Sequence, residues 1–483
     1  MSSNVVSFPV PDIFKGASIN ESFGAAWYTF NNPADKEVAL DLKTLRARSR
    51  ALCRNDIAGG IIGNVVTNVI GTGLYLDVVL DARLLGISDT EASAWGRDTE
   101  RRFSLWANSS DADIEARKIF PAIQQLAFRT LLMDGDAIAL LTNIERMNSV
   151  SSLRVNMIDP SREDSPYTGD SRFITSGIQK DSNGCPIFFY VQTNQLLEGN
   201  LSYRKVPVFH QLLGLRNMVH SFIELRPGQT RGLPFITSVI AKLRKLEKYS
   251  DAELGAAVIT SFFALAFRKQ ANNPKAPSFA DIMGKAKAAP NERNIHLAPE
   301  QQIDLEAGEE LEVIKSDRPN SGYGLFVDAL FREIAISLNI PKEILVKEFG
   351  RSYSASRGAI GEAFKYFLEL RNNFAAEFCQ PIYERWLFEE VAEGRIKAPG
   401  FLNDSIIRRL WCSARWVGPA KGMLDENKEA TAAEKRISIG ISTKKKEAIN
   451  YDGSRIEDVY AQRAREAALE EKLINGTEGD LDV

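Results

Sequence analysis

The chain has 483 residues, 44% apolar and 25% charged, with a formal net charge of −3. Its length suits two or three domains, and its balance is that of a folded globular protein and excludes one that coats nucleic acid with a uniformly basic surface. Four scattered cysteines with no CxxC pair (Cys53, Cys185, Cys379, Cys412) and three scattered histidines (His210, His220, His296) argue against a zinc site or a disulfide framework and fit a reducing compartment.

The N-terminal stretch MSSNVVSFPVPDIFKG lacks the basic-then-apolar pattern of a signal peptide, and residues 1–36 read as a polar, extended arm. Helical periodicity begins near Val38, with Leu40, Leu42, Leu45 and Leu52 on one side and Arg46, Arg48 and Arg50 on the other. Asn55 is placed to cap a second helix striped by Ile57, Ile61, Val65, Val69 and Ile70, which Gly71-Thr72-Gly73 ends before a strand at 74–80. Ser88-Asp89-Thr90-Glu91 spells a capping box opening a helix that carries Trp95, Phe103 and Trp106. A further helix is expected over 115–133, bent or restarted at Pro121. Asp134-Gly135-Asp136 reads as a helix C-cap leading into a strand at 137–142, against the alternative of a metal-binding turn. Strands follow at 153–158, 173–180 and 187–193, the last two forming a hairpin around Asp181-Ser182-Asn183-Gly184.

The character changes at Arg226-Pro227-Gly228-Gln229-Thr230-Arg231-Gly232-Leu233-Pro234, a stiff turn in which Pro234 is placed to open a long helix over 234–268. Its first half carries Lys242, Arg244, Lys245 and Lys248, either a solvated face or a functional one. The longest apolar run, 256–267, stops at Arg268-Lys269, short of the ~20 residues of a membrane span. Residues 269–318 read as an insert with a short helix at 278–288 and strands at 302–305 and 310–314. A second helix covers 323–338, with Phe326, Leu330, Ile334 and Leu338 at helical spacing. After Pro341 comes a basic, hydroxyl-rich loop with Lys342, Lys347, Arg351, Tyr353, Ser354, Ser356 and Arg357, running into a helix at 359–394 that Pro381 should break or kink. Two helices close the chain, at 425–439 and 443–474, the second split near Asp452-Gly453; the final residues are acidic.

Enzyme signatures are missing from this pattern. GxxxxGK[ST], GxSxG and HExxH do not occur, and Gly71-Thr72-Gly73 follows a helix and precedes a strand, the reverse of a phosphate-cradling loop. A dyad of Lys347 with Ser354 or Ser356 has no oriented base. The loop at 351–359 offers positive charge and hydrogen-bond donors without an acid/base pair, which suits holding or guiding an anion; its plainer reading is a polar loop capping a helix.

In order along the chain, four places resemble the portal proteins of tailed bacteriophages, of the lambda-like type. They are Arg226–Pro234 (RPGQTRGLP); Leu311–Val313 after Ala307-Gly308-Glu309, with Phe326 and the IAISLNIP run 334–341; Tyr353–Gly358 (YSASRG); and Trp416-Val417-Gly418-Pro419 with Gly440-Ile441-Ser442-Thr443. They span about residues 40 to 470. The sequence departs from the family pattern at Ala355, where a second serine is common.

The resemblance implies a mainly helical α+β portal fold assembled as a ring, usually of twelve subunits, around a central channel. It implies an N-terminal arm at 1–36, a wing at 37–225, a first stem helix at 226–268, a clip at 269–318 and a second stem helix at 319–340. A tunnel loop at 341–358, a long kinked helix returning to the wing at 359–418 and a crown at 419–483 complete the division. Gln229, Arg231, Gly232 and Pro234 would shape the turn into the stem. Lys242, Lys245 and Lys248 on the stem, with the tunnel-loop residues named above, would face double-stranded DNA without reading its sequence. The implied partners are a terminase large subunit, a head–tail adaptor and the major capsid or scaffold protein, with no cofactor and no membrane, at the portal vertex of a virion assembled in the host cytoplasm. An oligomeric adaptor or scaffold that carries no DNA would show the same helical stripes and basic loops. A nucleic-acid enzyme would need a carboxylate cluster, for which Asp134 and Asp136 are the one candidate pair.

Overall fold

The computed structural model describes residues 32–55, 57–163, 173–193, 202–211, 213–262, 266–269, 309–312, 322–348, 353–422 and 425–476. Most of the expected N-terminal arm, the helix at 278–288, the strand at 302–305, Arg351 and the last seven residues lie outside them. The chain divides into two compact units, one of residues 1–240 with 335–483 and one of residues 241–334.

The larger unit begins with α1 (Ala34–Asn55) and α2 (Ile57–Val69), which pack on each other and on α5 (Phe120–Asp134). In α1 the sequence reading is partly inverted: Leu40 is 74% exposed, whereas Arg46 is 7% exposed. A buried arginine breaks the apolar stripe because its partners lie about ninety positions further along the chain. The strand β1 (Tyr75–Val78) and two helices, α3 (Ala82–Leu85) and α4 (Asp89–Ala107), follow. The capping box of α4 is present as expected: the Ser88 backbone N–H donates to Glu91 Oε2 at 2.9 Å, and Ser88 Oγ accepts from the Glu91 N–H at 3.2 Å. The helix expected from residue 115 starts only at Phe120, because Pro121 is tolerated in a first turn and not later.

Gly135 ends α5 with φ 93° and hands the chain to β2 (Asp136–Asn143), whose first six residues are all buried. β2 is the centre of a three-stranded antiparallel sheet between β3 (Leu153–Ile158) and β8 (Met218–Phe222). A four-stranded meander, β4 (Ile174–Thr175), β5 (Ile178–Lys180), β6 (Pro186–Gln192) and β7 (Tyr203–Pro207), contains the expected hairpin as the β5–β6 pair, but the strand expected over 173–180 is folded into β4 and β5 by a tight turn at Ser176-Gly177, both at positive φ. The two sheets share a core that includes Ile138, Leu140, Ile178, Phe189 and Val206. That shared core fixes the register of each, since a one-residue slip would turn these side chains outward.

The chain returns to this unit through α8 (Lys342–Val346) and α9 (Tyr353–Phe374). A π-helical turn at Ala375–Cys379 leads into α10 (Gln380–Ala392). The helix thus starts six residues before the expected boundary and passes through Pro381, the widened turn absorbing the missing N–H. After α11 (Ser405–Trp411), the strand β11 (Ala414–Val417) pairs with β1, so that Tyr75 sits opposite Val417 and the late chain is stitched to the early chain. Phe103, Trp106, Phe120, Tyr383, Trp386 and Trp416 form one aromatic cluster beneath that stitch; the Phe103 and Trp386 rings meet edge-on at 5.1 Å. Three helices end the described chain: α12 (Glu426–Ser438), α13 (Lys444–Asp452) and α14 (Ile456–Gly476).

The smaller unit holds most of α6 (Ile240–Phe262) and of α7 (Tyr323–Ser337), with an antiparallel pair β9 (Ala266–Lys269) and β10 (Glu309–Glu312). The aromatic rings of Tyr249, Tyr323 and Phe326 link the two helices, helped by a 3.0 Å contact between Ser250 Oγ and the Tyr323 hydroxyl. No helix among the described residues is long and apolar enough to cross a membrane.

Candidate functional site

The turn at 226–234 is held by a dense set of hydrogen bonds and ion pairs. Arg231 is 1% exposed. Its Nε donates to Asp136 Oδ2 at 2.9 Å, its Nη1 to the Ser176 carbonyl at 2.7 Å and its Nη2 to the Pro160 carbonyl at 3.2 Å. The Gly232 N–H donates to Asp136 Oδ1 at 2.8 Å, and His220 Nε2 lies 2.9 Å from the same oxygen. Arg46 adds an ion pair to Asp136 and donates from Nε to the Asp134 carbonyl at 2.8 Å. Gln229 closes the turn on itself, its Nε2 donating to the Arg231 carbonyl at 2.7 Å while its Oε1 accepts from the Leu225 N–H at 3.0 Å.

Space at this turn is as restrictive as charge. A Cβ on Gly232 would lie 2.0 Å from the Gly135 carbonyl oxygen, and one on Gly135 would lie 2.3 Å from that of Gly232. Only glycine on both strands lets the two backbones approach so closely. Pro234 does not open the long helix: a 3-10 turn at Thr237–Val239 intervenes and α6 starts at Ile240.

The electrostatics are those of a structural anchor. Burial alone would raise the pKa of Asp136, but Arg231, the His220 hydrogen bond and Arg46 outweigh it and hold this carboxyl well below the usual carboxylate range. Burial pushes Glu163 up to about 8, against the pull of the Arg231 Nη1 atom 3.2 Å from it and with Asp136 adding to the rise. Arg50 takes the neighbouring Asp134, from Nε at 2.6 Å and Nη2 at 3.0 Å, and reaches Asp159 at 2.7 Å. The Asp134-Gly135-Asp136 segment is therefore a helix cap whose carboxylates are held by arginines. No cluster of three or more metal-ligating side chains occurs among the described residues.

The remaining candidates fall into different parts of the fold. Lys242 pairs with Glu333 at 2.9 Å between the two helices of the smaller unit. Lys245 and Lys248 are exposed, three positions apart on one face of α6, and neither has a carboxylate partner among the described residues. Lys342 opens α8 and is half-buried; Lys347 ends it, exposed and in the left-handed region at φ 57°. Tyr353, Ser354, Ser356 and Arg357 lie in the first turns of α9, not in a loop. Ser354 is exposed, whereas Ser356 is 3% exposed with no hydrogen-bond partner for its hydroxyl. Arg357 is held by Glu429 of α12 at 2.8 Å.

Sequence reasoning missed Arg46, Glu163 and His220 as parts of the turn's anchor. The available signal was the pair of arginines Arg46 and Arg50, one helical turn apart, with the aspartates Asp134 and Asp136 further on.

The profile of phage portal proteins of the lambda family matches residues 21–371. Portal protein B of Escherichia phage lambda is 24% identical, over 92% of this chain and 87% of its own length. The portal protein of Escherichia phage N15 is 23% identical, over 91% of this chain and 87% of its own. Among solved structures, a chain from the neck of an empty gene transfer agent particle is 13% identical and covers 85% of this chain and 92% of its own, at a TM-score of 0.45. With its profile matched over well more than half of its length, the chain belongs to the lambda family of phage portal proteins.

Proposed function

We propose that this chain is the subunit of a ring, of about twelve copies, at one vertex of a phage capsid, and that double-stranded DNA passes through the ring during packaging and ejection. The observation that carries the reading is membership of the portal family. In this reading the unit at 241–334 supplies the stem and clip, where a terminase large subunit and then a head–tail adaptor dock; residues 37–225 with 359–418 form the wing, and 419–483 the crown. The anchored turn at Gln229–Pro234 would set the direction in which the stem leaves the wing.

The physics of a conduit favours few, repeated and sequence-blind contacts. Duplex DNA carries roughly one charge per 1.7 Å of axis, and contacts to phosphate position it without reading bases. Ring symmetry would turn each lysine of one subunit into a belt of charge. Lys245, Lys248 and Lys347 suit that role best, because they are exposed and in no ion pair among the described residues, whereas Lys242 and Arg357 already hold carboxylates. The test is complementation of a phage lacking its portal with chains in which Lys245, Lys248, Lys342, Lys347, Arg351 and Arg357 become alanine. Reduced genome packaging or retention in particles of normal shape is expected; full packaging by the six-fold variant would remove the basic-belt idea.

A further inference from the structure

A cleft of about 1230 Å³ lies in the larger unit between α9, the segment after β11 and the C-terminal helices α12 and α13. Its lining combines apolar side chains, among them Ile360, Phe364 and Leu368 of α9 and Val417 of β11, with charged ones. Seven cations line it against three carboxylates, a net charge of +4, in a chain whose own net charge is −3. The carboxylates are occupied: Glu429 by Arg357 at 2.8 Å, Glu447 by Arg436 at 2.7 Å and Asp77 by Arg415 at 2.7 Å. Arg371 donates to the carbonyls of Val69, Asn68 and Pro419. Lys445 lies 3.7 Å from Asp77 and 4.0 Å from Glu457, which leaves Lys421 and Lys446, both exposed and in no ion pair among the described residues. Apolar side chains beside these lysines make a seat for an acidic peptide that alternates carboxylates with apolar side chains.

The chain contains such a segment. Residues 477–483 read Thr-Glu-Gly-Asp-Leu-Asp-Val, three carboxylates and no cation, with Leu481 and Val483 alternating with Asp480 and Asp482. In an extended strand that alternation puts acids on one side and apolar groups on the other. The segment follows α14, which is tied to the body at its start: Arg455 donates to the Leu76 carbonyl at 2.8 Å and pairs with Glu100 at 2.5 Å. From Tyr460 to Leu473 every residue of α14 is exposed. A helix of 21 residues is about 30 Å long, and seven extended residues reach at most about 25 Å. To fill its own cleft the segment would have to double straight back along α14. A second copy whose cleft faces the far end of α14 would take the segment without such a reversal.

We infer that the cleft between α9 and the C-terminal helices binds the acidic segment 477–483 of a second copy of this chain, with Lys421 and Lys446 meeting its carboxylates. The inference rests on the self-assembly in the proposed function and adds to it a strap from each subunit to its neighbour.

Two measurements test it. A fluorescent peptide of residues 474–483 is titrated into the full-length chain carrying Glu478→Gln, Asp480→Asn and Asp482→Asn, whose own segment no longer competes. Saturable binding is expected, weakened about ten-fold or more when Lys421→Glu and Lys446→Glu are added. No saturable binding, or binding indifferent to the two reversals, overturns the site. Wild-type chain, half of it isotopically heavy, is then treated with a zero-length carbodiimide cross-linker, and its oligomeric state is read by sedimentation. Links from Lys421 or Lys446 to residues 478–482 in mixed light–heavy pairs support the second copy; same-chain links alone, or no such links, overturn it. An oligomer without mixed links would leave the ring reading standing, whereas a monomer would count against both.

Discussion

Replacing Arg231 by leucine should cost the larger unit much of its stability. The substitution removes three hydrogen bonds and the ion pair to Asp136, a fully buried carboxylate, and vacates a side chain that is 1% exposed. Breaking one side of a buried pair costs about 3–5 kcal/mol, because the remaining charge stays buried. Asp136 keeps Arg46, His220 and the Gly232 N–H, so the lower end, about 3 kcal/mol, is expected. For a unit of nearly 400 residues that corresponds to a fall of about 3–4 °C in Tm, at roughly 1 °C per kcal/mol. Differential scanning calorimetry on the wild type, Arg231→Leu, Asp136→Asn and the double variant completes a mutant cycle. The double variant should be less destabilised than the sum of the singles, with a coupling of about 1–3 kcal/mol. A Tm within 1 °C of wild type for Arg231→Leu, or strict additivity, would refute the account of the turn as an electrostatic anchor.

Other outcomes follow from the same cluster and its surroundings. Glu163 binds its proton more tightly folded than unfolded, so its contribution is fully present below its unfolded pKa near 4.5 and is lost as pH rises towards about 8; urea denaturation at pH 5 and pH 9 should show this decline, and Glu163→Gln should flatten it. Asp136 has the opposite sign: its depressed pKa gives stability above the ordinary carboxylate range that disappears as the solution is acidified, and Asp136→Asn should remove that acid-side slope. Gly232→Ala should yield little soluble protein, since its Cβ would sit 2.0 Å from a backbone oxygen that cannot swing away; normal yield and Tm would contradict the packing described. Arg357→Ala should change stability by no more than about 1 kcal/mol, because Arg357 is itself exposed, so a packaging defect in that variant would report on DNA or assembly and not on folding.

What could be read from the sequence were features decided within a few residues. The Ser88 capping box, the Gly135 cap, the β5–β6 hairpin and the split before Gly453 each depend on neighbours in the chain, and the structure has them. What could not be read depends on distant partners. Arg46 looked solvated beside Arg48 and Arg50, yet it is buried because Asp136 waits 90 positions away. Leu40 reads as core only when grouped with Leu42; at 3.6 residues per turn the two point to nearly opposite sides of α1, and the buried face runs through Ala34, Val38, Leu42, Arg46 and Ser49. Pro381 signalled a break, but the helix passes through it by widening one turn into a π-helix, an accommodation set by the packing of Phe374 and Phe378 at 5.0 Å. At the candidate site, lysines were legible as charges while their pairing was not. Lys242 and Lys245 look alike in sequence, and only the fold gives one of them a carboxylate.

The central claim is that this chain forms a closed conduit for DNA. Electron cryomicroscopy of the purified protein, with rotational classification and no symmetry imposed, tests it most directly. The account predicts rings of about twelve subunits around a hole that admits a B-form duplex, with Lys245 and Lys248 facing the hole. A population of compact monomers or dimers under all assembly conditions, or a ring closed at its centre, would contradict it.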